Sequence, residues 1–147
     1  MIKLTTIVSH TNNVQPTAEI YLPFELRQKS RLLTKLETGE EVGLFLPRGT
    51  ILRNGDLLQA EDGTIVRIKA AKETVSIATT NEPLLWAKAC YHLGNRHVYL
   101  QISYLKIVYL HDHVLDQMVT NLGLNVQVGQ EIFEPERGAY LSHGHHH

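Results

Sequence analysis

The sequence predicts two parts of different fold class: an all-β module over residues 1–70, and an α+β domain with a ferredoxin-like order of elements over residues 73–140. Two observations predict this division. Short apolar runs separated by glycine-containing turns occupy the first half, whereas two amphipathic segments of helical length alternate with short apolar runs in the second half. Residues 141–147, which are rich in histidine, are expected to form a flexible tail.

The first half consists of strand-length segments without a long helical period. Three apolar runs are short enough to be strands: residues 41–46, 56–60 and 64–70. Three turns place a glycine where the chain needs a positive φ, namely Gly49, Gly55 and Gly63. The pair Asn54-Gly55 is the strongest hairpin signal among them. Residues 22–40 are ambiguous and compatible with a helical turn, so the pattern predicts a module built mainly of strands.

The first helix of the second half is predicted over residues 81–94. Asn81 is a suitable N-cap, Pro83 lies in the first turn, where a missing N–H breaks no helical hydrogen bond, and Gly94 can end the helix in the left-handed conformation. The apolar stripe of this helix comprises Leu85, Trp86, Ala89, Cys90 and Leu93. Such spacing is typical of a helix with one buried face.

The second helix is predicted over residues 112–123. Asp112 is the expected N-cap and Gly123 the residue that ends the helix. Its buried face comprises Leu115, Met118, Val119 and Leu122.

Four apolar runs flank these helices and are predicted to be strands: residues 74–79, 97–102, 104–110 and 124–128. In two of them the alternation assigns side chains to the core, namely Val98, Leu100, Ile102, Leu105 and Ile107. The order β-α-β-β-α-β is that of a ferredoxin-like sandwich. Because a unit of about 60 residues buries only about 60% of the surface that its unfolded chain exposes, a partner subunit would help to stabilise it.

Composition argues against several classes of function. Fourteen basic and fifteen acidic side chains give a net charge of −1, which provides no electrostatic footprint for nucleic acid. A single cysteine, Cys90, excludes an intramolecular disulfide and any multi-cysteine zinc or iron–sulfur site. No signal peptide is evident, and no apolar run approaches the roughly 20 residues of a membrane span. The simplest expectation is a cytoplasmic protein without a membrane partner.

The histidines are unevenly placed and suggest metal binding. His97 lies at the start of a predicted strand, and His111 and His113 flank the cap of the second helix. In an extended segment, residues two apart point to the same side, so this pair can chelate one ion. The tail adds four candidate ligands: His143, His145, His146 and His147. Imidazole suits nickel, copper, zinc and iron.

Each of these histidines also has a structural interpretation. His97 would fit a surface residue that forms hydrogen bonds, and an N-cap between two solvated neighbours would explain His111 and His113. His92 is interpreted as a packed or interfacial residue and His10 as a surface residue. An expression remnant would explain the tail. Clustering favours metal binding over these alternatives taken one at a time.

The number and location of the ligands favour a carrier over an enzyme. Structural metal sites are closed by four ligands, and catalytic sites combine three ligands with an open position and a nearby acid or base. Here the candidates occur singly or in pairs on predicted loops, without a His-Glu-x-x-His motif. Such a site binds an ion and releases it.

Three ordered motifs resemble those of the UreE family of urease accessory proteins, which are nickel metallochaperones. They are "ACYHLGNRHVYLQI" (residues 89–102), "YLHDHVLDQM" (residues 109–118) and "FEPERGAYLSHGHHH" (residues 133–147), and residues 48–71 resemble the family's N-terminal β-rich module. The resemblance covers nearly the whole chain. It implies an N-terminal domain that binds partner proteins, a metal-binding second domain, and a homodimer. This dimer would hand nickel to the urease apoprotein assembly complex through an accessory GTPase.

The resemblance also implies roles for individual residues. His97 matches the family's principal ligand, which lies at the dimer interface, where two copies meet across the twofold axis. His111 and His113 match a pair that forms peripheral metal sites in some members. The tail is shorter than the longest family versions, so it should store fewer ions, and we interpret it as a tethered collector that feeds His97. Nickel as cargo is implied by the resemblance, whereas Cu²⁺ and Zn²⁺ are also expected to bind in vitro.

Two alternatives from other classes stay open at this point. Ferredoxin-like sheets can stack RNA bases on aromatic side chains, and Tyr99, Tyr104 and Tyr109 lie on or near the central hairpin. A metal-dependent hydrolase that uses His111 and His113 is the other alternative, although no general base is evident.

Overall fold

The computed structural model describes residues 1–9 and 14–138, and the chain divides after Ala71 into two compact units. Each unit has its own cluster of buried apolar side chains. The predicted tail with His143, His145, His146 and His147 lies outside the described residues, as does His10. In the described part of the chain, no helix is long and apolar enough to cross a membrane.

The first unit is rich in strands, as predicted. Its elements are β1 (Ile2–Val8), β2 (Ala18–Leu22), α1 (Phe24–Arg27), β3 (Arg31–Lys35), β4 (Glu41–Phe45), β5 (Leu57–Ala60) and β6 (Ile65–Ala70). The six strands form one sheet in the order β2-β6-β5-β1-β4-β3. The pairs β1–β4 and β2–β6 are parallel, and the other neighbouring pairs are antiparallel. Residues 22–40, which were compatible with a helical turn, contain the short helix α1.

The glycine turns are confirmed, but the hairpin predicted at Asn54-Gly55 is wrong. The strands on either side of this turn, β4 and β5, are not neighbours, because β1 lies between them. The turn instead contacts β6: the Gly55 N–H donates to the Ile68 carbonyl at 2.7 Å, and the Asn54 side chain accepts from the Ala70 N–H at 2.8 Å. The β5–β6 hairpin is closed by the turn at Gly63, where φ is 92°.

A buried arginine holds the short helix α1 in the first unit. Arg27 is fully buried, and its Nε donates to the Leu22 carbonyl at 3.1 Å while Nη1 donates to the Leu52 carbonyl at 3.2 Å. Its guanidinium group lies 5.5 Å from the centroid of the Phe24 ring. These contacts join β2, α1 and the segment before β5.

Over its described residues, 72–138, the second unit contains six elements in the order β-α-β-β-α-β. They are β7 (Lys72–Thr79), α2 (Pro83–Asn95), β8 (Gln101–Ser103), β9 (Lys106–Leu110), α3 (His113–Leu122) and β10 (Asn125–Ile132). The sheet order is β10-β7-β9-β8, and every neighbouring pair is antiparallel. The predicted apolar faces of both helices pack into one core with the sheet, which includes Ala78, Ala89, Leu93, Ile107, Tyr109, Leu115 and Val119.

Two details of the predicted strands are wrong. The strand expected from residue 97 begins at Gln101, and Ile102 is 36% exposed because β8 is the edge strand of the sheet. Leu105 does not lie in a strand: its φ of 63° places it in the turn between β8 and β9. Ile107 is fully buried, as predicted.

Candidate metal centre

His97 follows α2 and adopts a backbone conformation that is uncommon for a residue with a side chain. Its φ is 58°, in the left-handed region. The His97 N–H donates to the Gly94 carbonyl at 3.0 Å, and the Val98 N–H donates to the Leu93 carbonyl at 3.4 Å. This pair of hydrogen bonds is the Schellman arrangement, whose left-handed position is usually occupied by glycine.

Both predicted ends of α2 are wrong. The N-cap is Glu82 and not Asn81, and Gly94 lies inside the helix, whose C-cap is Arg96. The second helix shows why the C-terminal end of α2 was predicted too early. It closes with the same pair of hydrogen bonds, but there Gly123 is the left-handed residue, with a φ of 112°. Because a histidine takes this position after α2, a rule that searches for glycine ends the helix too early.

The His97 side chain is exposed and lines an open cleft of about 420 Å³. The other lining residues are Val98, Tyr99, Leu100, Ile102, Glu136, Arg137 and Gly138. The Glu136 N–H donates to the Leu100 carbonyl at 2.7 Å, which fixes this end of the described chain against the segment that follows His97. The last described residues and His97 therefore share one cleft.

His111 and His113 lie on either side of the cap of α3. The Asp112 carboxylate accepts from the N–H groups of Val114 and Leu115 at 2.8 and 3.0 Å, which confirms the predicted N-cap. The two imidazole centroids are 4.9 Å apart, with ring planes at 75°. A ring centroid lies about 3 Å from a metal ion bound at one of its nitrogens, so two rings on one ion lie roughly 4.5–5 Å apart. The spacing of this pair is compatible with a shared ion.

His111 has polar neighbours that the sequence did not reveal. Its Nδ1 lies 3.1 Å from Oδ2 of Asp116 and 3.1 Å from Oγ of Ser76, which is fully buried on β7. The Tyr109 hydroxyl donates to Oδ1 of Asp116 at 2.7 Å. Burial, followed by the hydrogen bond with Asp116, raises the pKa of Tyr109 above its ordinary value. The sequence did offer one signal for this contact: Asp116 lies one helical turn after the cap residue Asp112.

His92 is exposed on α2, so it is not packed in the core of its own chain, and the interfacial alternative stays a prediction. Its ring meets that of Tyr91 edge-on, with centroids 5.3 Å apart. Together with His113 it lines a groove of about 690 Å³ between α2 and α3. The structure thus brings His111 close to His113, and places His113 and His92 on one groove, while His97 lines the other cleft.

In the described part of the chain, the histidine pairs are not joined by a third side chain in an arrangement that would hold a metal ion. Within residues 1–9 and 14–138, no group of three or more histidine, cysteine, aspartate or glutamate side chains is arranged to hold a metal ion. Cys90 is half-buried against the core, as predicted, and burial raises the pKa of its thiol.

Two family models match consecutive parts of the chain. The N-terminal domain of the UreE urease accessory protein matches residues 4–71, and the C-terminal domain of the same protein matches residues 73–147. The chain belongs to the UreE family. The resemblance that the motifs predicted is thereby confirmed.

Individual relatives agree with this assignment. The urease accessory protein UreE of Vibrio parahaemolyticus is 57% identical over 134 residues, which cover 87% of this chain and 84% of that protein. UreE of Aliivibrio fischeri strain MJ11 is 50% identical, and the match covers 100% of both chains. UreE of Proteus mirabilis strain HI4320 is 52% identical over 88% of this chain and 81% of its own.

Membership in the family settles the class of function. A UreE protein is an accessory protein of urease, so this chain has a role in urease maturation and is not itself an enzyme. The metal-dependent hydrolase considered above is therefore excluded.

Proposed function

We propose that this UreE protein is a nickel metallochaperone of the cytoplasm, which works as a homodimer. It carries nickel to the urease apoprotein assembly complex and hands it over through the accessory GTPase. Family membership supports this assignment, and the exposed imidazoles of the second unit supply ligands of the type that nickel prefers.

His97 is the principal ligand in this proposal. A twofold axis at His97 duplicates the residue, so one histidine in each chain becomes two ligands on one ion. The left-handed backbone at His97 supports the role, because strained backbone conformations cluster at functional sites. The histidine ends a helix that a glycine would end with less strain.

The observation that carries the proposal is the cleft that His97 shares with Glu136, Arg137 and Gly138. The chain continues from this cleft into residues 139–147, which contain His143, His145, His146 and His147. Residues 140–147 reach at most about 25 Å when extended. Because the tail is tethered at this cleft, its imidazoles have a high effective concentration at the His97 site, which in this proposal the tail completes and feeds.

His111 and His113 form a second, peripheral site in this proposal. Their spacing of 4.9 Å supports it. The affinity of imidazole ligands for divalent metals follows the Irving–Williams order, so copper binds this site more tightly than nickel. Cu²⁺ and Zn²⁺ therefore also bind in vitro. Nickel as the cellular cargo rests on the family.

The two units have different roles in this proposal. The first unit, residues 1–70, binds partner proteins. The second, residues 73–140, is a ferredoxin-like domain that binds the metal and forms the dimer. The strand order β10-β7-β9-β8 with antiparallel neighbours supports the ferredoxin-like class. Nucleic acid is not a partner, since the net charge is −1.

A calorimetric titration with Ni²⁺ tests the role of His97. His97→Ala should lose the tightest site. Loss of a residue that only hydrogen-bonds to a metal ligand weakens metal binding by roughly 10–100-fold, and loss of the ligand itself should weaken it by more. His92→Ala is the matched control, because it removes another exposed imidazole of the same unit and should bind as the wild type does. If His97→Ala keeps the tight site, the assignment of His97 is wrong.

A further inference from the structure

We propose that Asp116 and Tyr109 are positioning residues for metal binding by His111. They hold its imidazole in the tautomer that carries the proton on Nδ1 and presents Nε2 to the ion. The inference rests on the proposed function, because it supplies the supporting shell of the peripheral site.

The contact between His111 and Asp116 determines where the proton lies. An ionised carboxylate only accepts hydrogen bonds. A neutral imidazole whose Nδ1 is 3.1 Å from Oδ2 of Asp116 must therefore carry its proton on that nitrogen. In the opposite tautomer, two lone pairs would face each other at this distance. With the proton on Nδ1, the lone pair of Nε2 is free for a metal ion.

Tyr109 fixes the orientation of the Asp116 carboxylate. The tyrosine is fully buried, and its hydroxyl donates to Oδ1 at 2.7 Å. This hydrogen bond occupies Oδ1, which leaves Oδ2 facing His111. The carboxylate is itself only 18% exposed, so its orientation is set by these contacts more than by water.

Ser76 is consistent with the same arrangement. Its Oγ lies 3.1 Å from Nδ1 and accepts a share of the Nδ1 proton. Its own hydrogen is then free to reach the oxygen of Tyr109.

The ion would bind at Nε2 of His111, the ring nitrogen that does not contact Asp116. The His113 ring lies 4.9 Å away and is exposed, so it can supply the second nitrogen. A histidine held through its other nitrogen by a carboxylate is the usual arrangement of metal-binding imidazoles, and loss of such a partner typically weakens metal binding by about 10–100-fold.

The first test is made without metal, on the full ¹⁵N-labelled chain, by long-range ¹H–¹⁵N correlation of the imidazole rings. Wild-type His111 should show a protonated Nδ1 and a bare Nε2. Asp116→Asn should abolish this preference, and Tyr109→Phe should reduce it. Asp112→Asn is the matched control: it removes the same charge beside the same ring, asparagine still caps the helix, and the tautomer should not change. A wild-type His111 protonated on Nε2, or an unchanged tautomer in Asp116→Asn, overturns the proposal.

The second test adds Zn²⁺, a diamagnetic ion that imidazole binds, and follows the His111 ring signals. Asp116→Asn should weaken binding at this pair by about 10–100-fold, Tyr109→Phe by less, and Asp112→Asn should leave it unchanged. Near-UV circular dichroism of Trp86 checks that each variant is folded. Equal affinity in Asp116→Asn overturns the positioning role. If the tautomer is as proposed but wild type binds no ion here, the peripheral site fails together with this role, and the His97 site is unaffected.

Discussion

His97 combines an exposed imidazole with a backbone conformation that suits glycine. Only its left-handed φ of 58° allows the hydrogen bonds from His97 and Val98 to close α2. For residues with a Cβ atom this conformation costs about 1–2 kcal/mol. The position is therefore occupied at the expense of stability, which is expected of a residue retained for binding.

The strain at His97 predicts an unusual order of stabilities. His97→Gly should be more stable than His97→Ala by about 1 kcal/mol, because alanine keeps the Cβ atom in the left-handed region. Neither variant should keep the tight nickel site. Urea unfolding followed by the fluorescence of Trp86, the only tryptophan, measures this difference in the second unit.

The helix that ends in glycine provides the control for this order. Gly123→Ala should destabilise the same unit, since its φ is 112° and the added Cβ would lie 3.3 Å from Cδ2 of Leu85. Equal unfolding midpoints for His97→Gly and His97→Ala would show that the histidine backbone stores no strain.

At the scale of elements, the sequence predicted what local chemistry determines. Helix α3 was predicted with both of its ends, because Asp112 and Gly123 act within one turn of the chain. The pairing of β1 between β4 and β5 was not predictable, since it joins segments that are distant in sequence. For the same reason the hairpin signal at Asn54-Gly55 misled.

The candidate site follows the same rule. The spacing of His111 and His113 depends on three consecutive residues and is visible in the sequence. The contact between Ser76 and His111 is not visible in the sequence, because only the antiparallel pairing of β7 with β9 brings the two residues together. The cleft of His97 likewise depends on Glu136 and Gly138, which the fold brings back to it.

The tail is predicted to act as an element of the site. Deletion of residues 142–147 should lower the number of nickel ions bound and weaken the tight site, because a tethered ligand is lost, while the dimer remains. Calorimetry and size-exclusion chromatography measure both effects.

A full-length variant separates the loss of ligands from the loss of chain. With His143, His145, His146 and His147 replaced by asparagine, it should behave as the truncated protein does. Wild-type stoichiometry and affinity in both variants would remove the tail from the site.

For the whole molecule, proton competition distinguishes histidine from carboxylate ligands. Imidazole binds a metal ion only when neutral and ordinarily gains its proton near pH 6.5, whereas carboxylates stay ionised down to about pH 4. Since two His97 side chains and one or more tail histidines must lose protons, nickel affinity at pH 5.5 should be well over tenfold weaker than at pH 7.5. Equal affinities at the two values would mean that histidine does not hold the ion.

In the proposed metal site, two copies of His97 hold one nickel ion across a twofold axis. Native mass spectrometry of the full chain, titrated with Ni²⁺ at neutral pH, measures the oligomer and its ion count together. We expect a dimer that takes up a single ion first, with further ions at higher nickel concentration. A monomer, or a dimer that fills two equivalent sites at once, one in each chain, would contradict it.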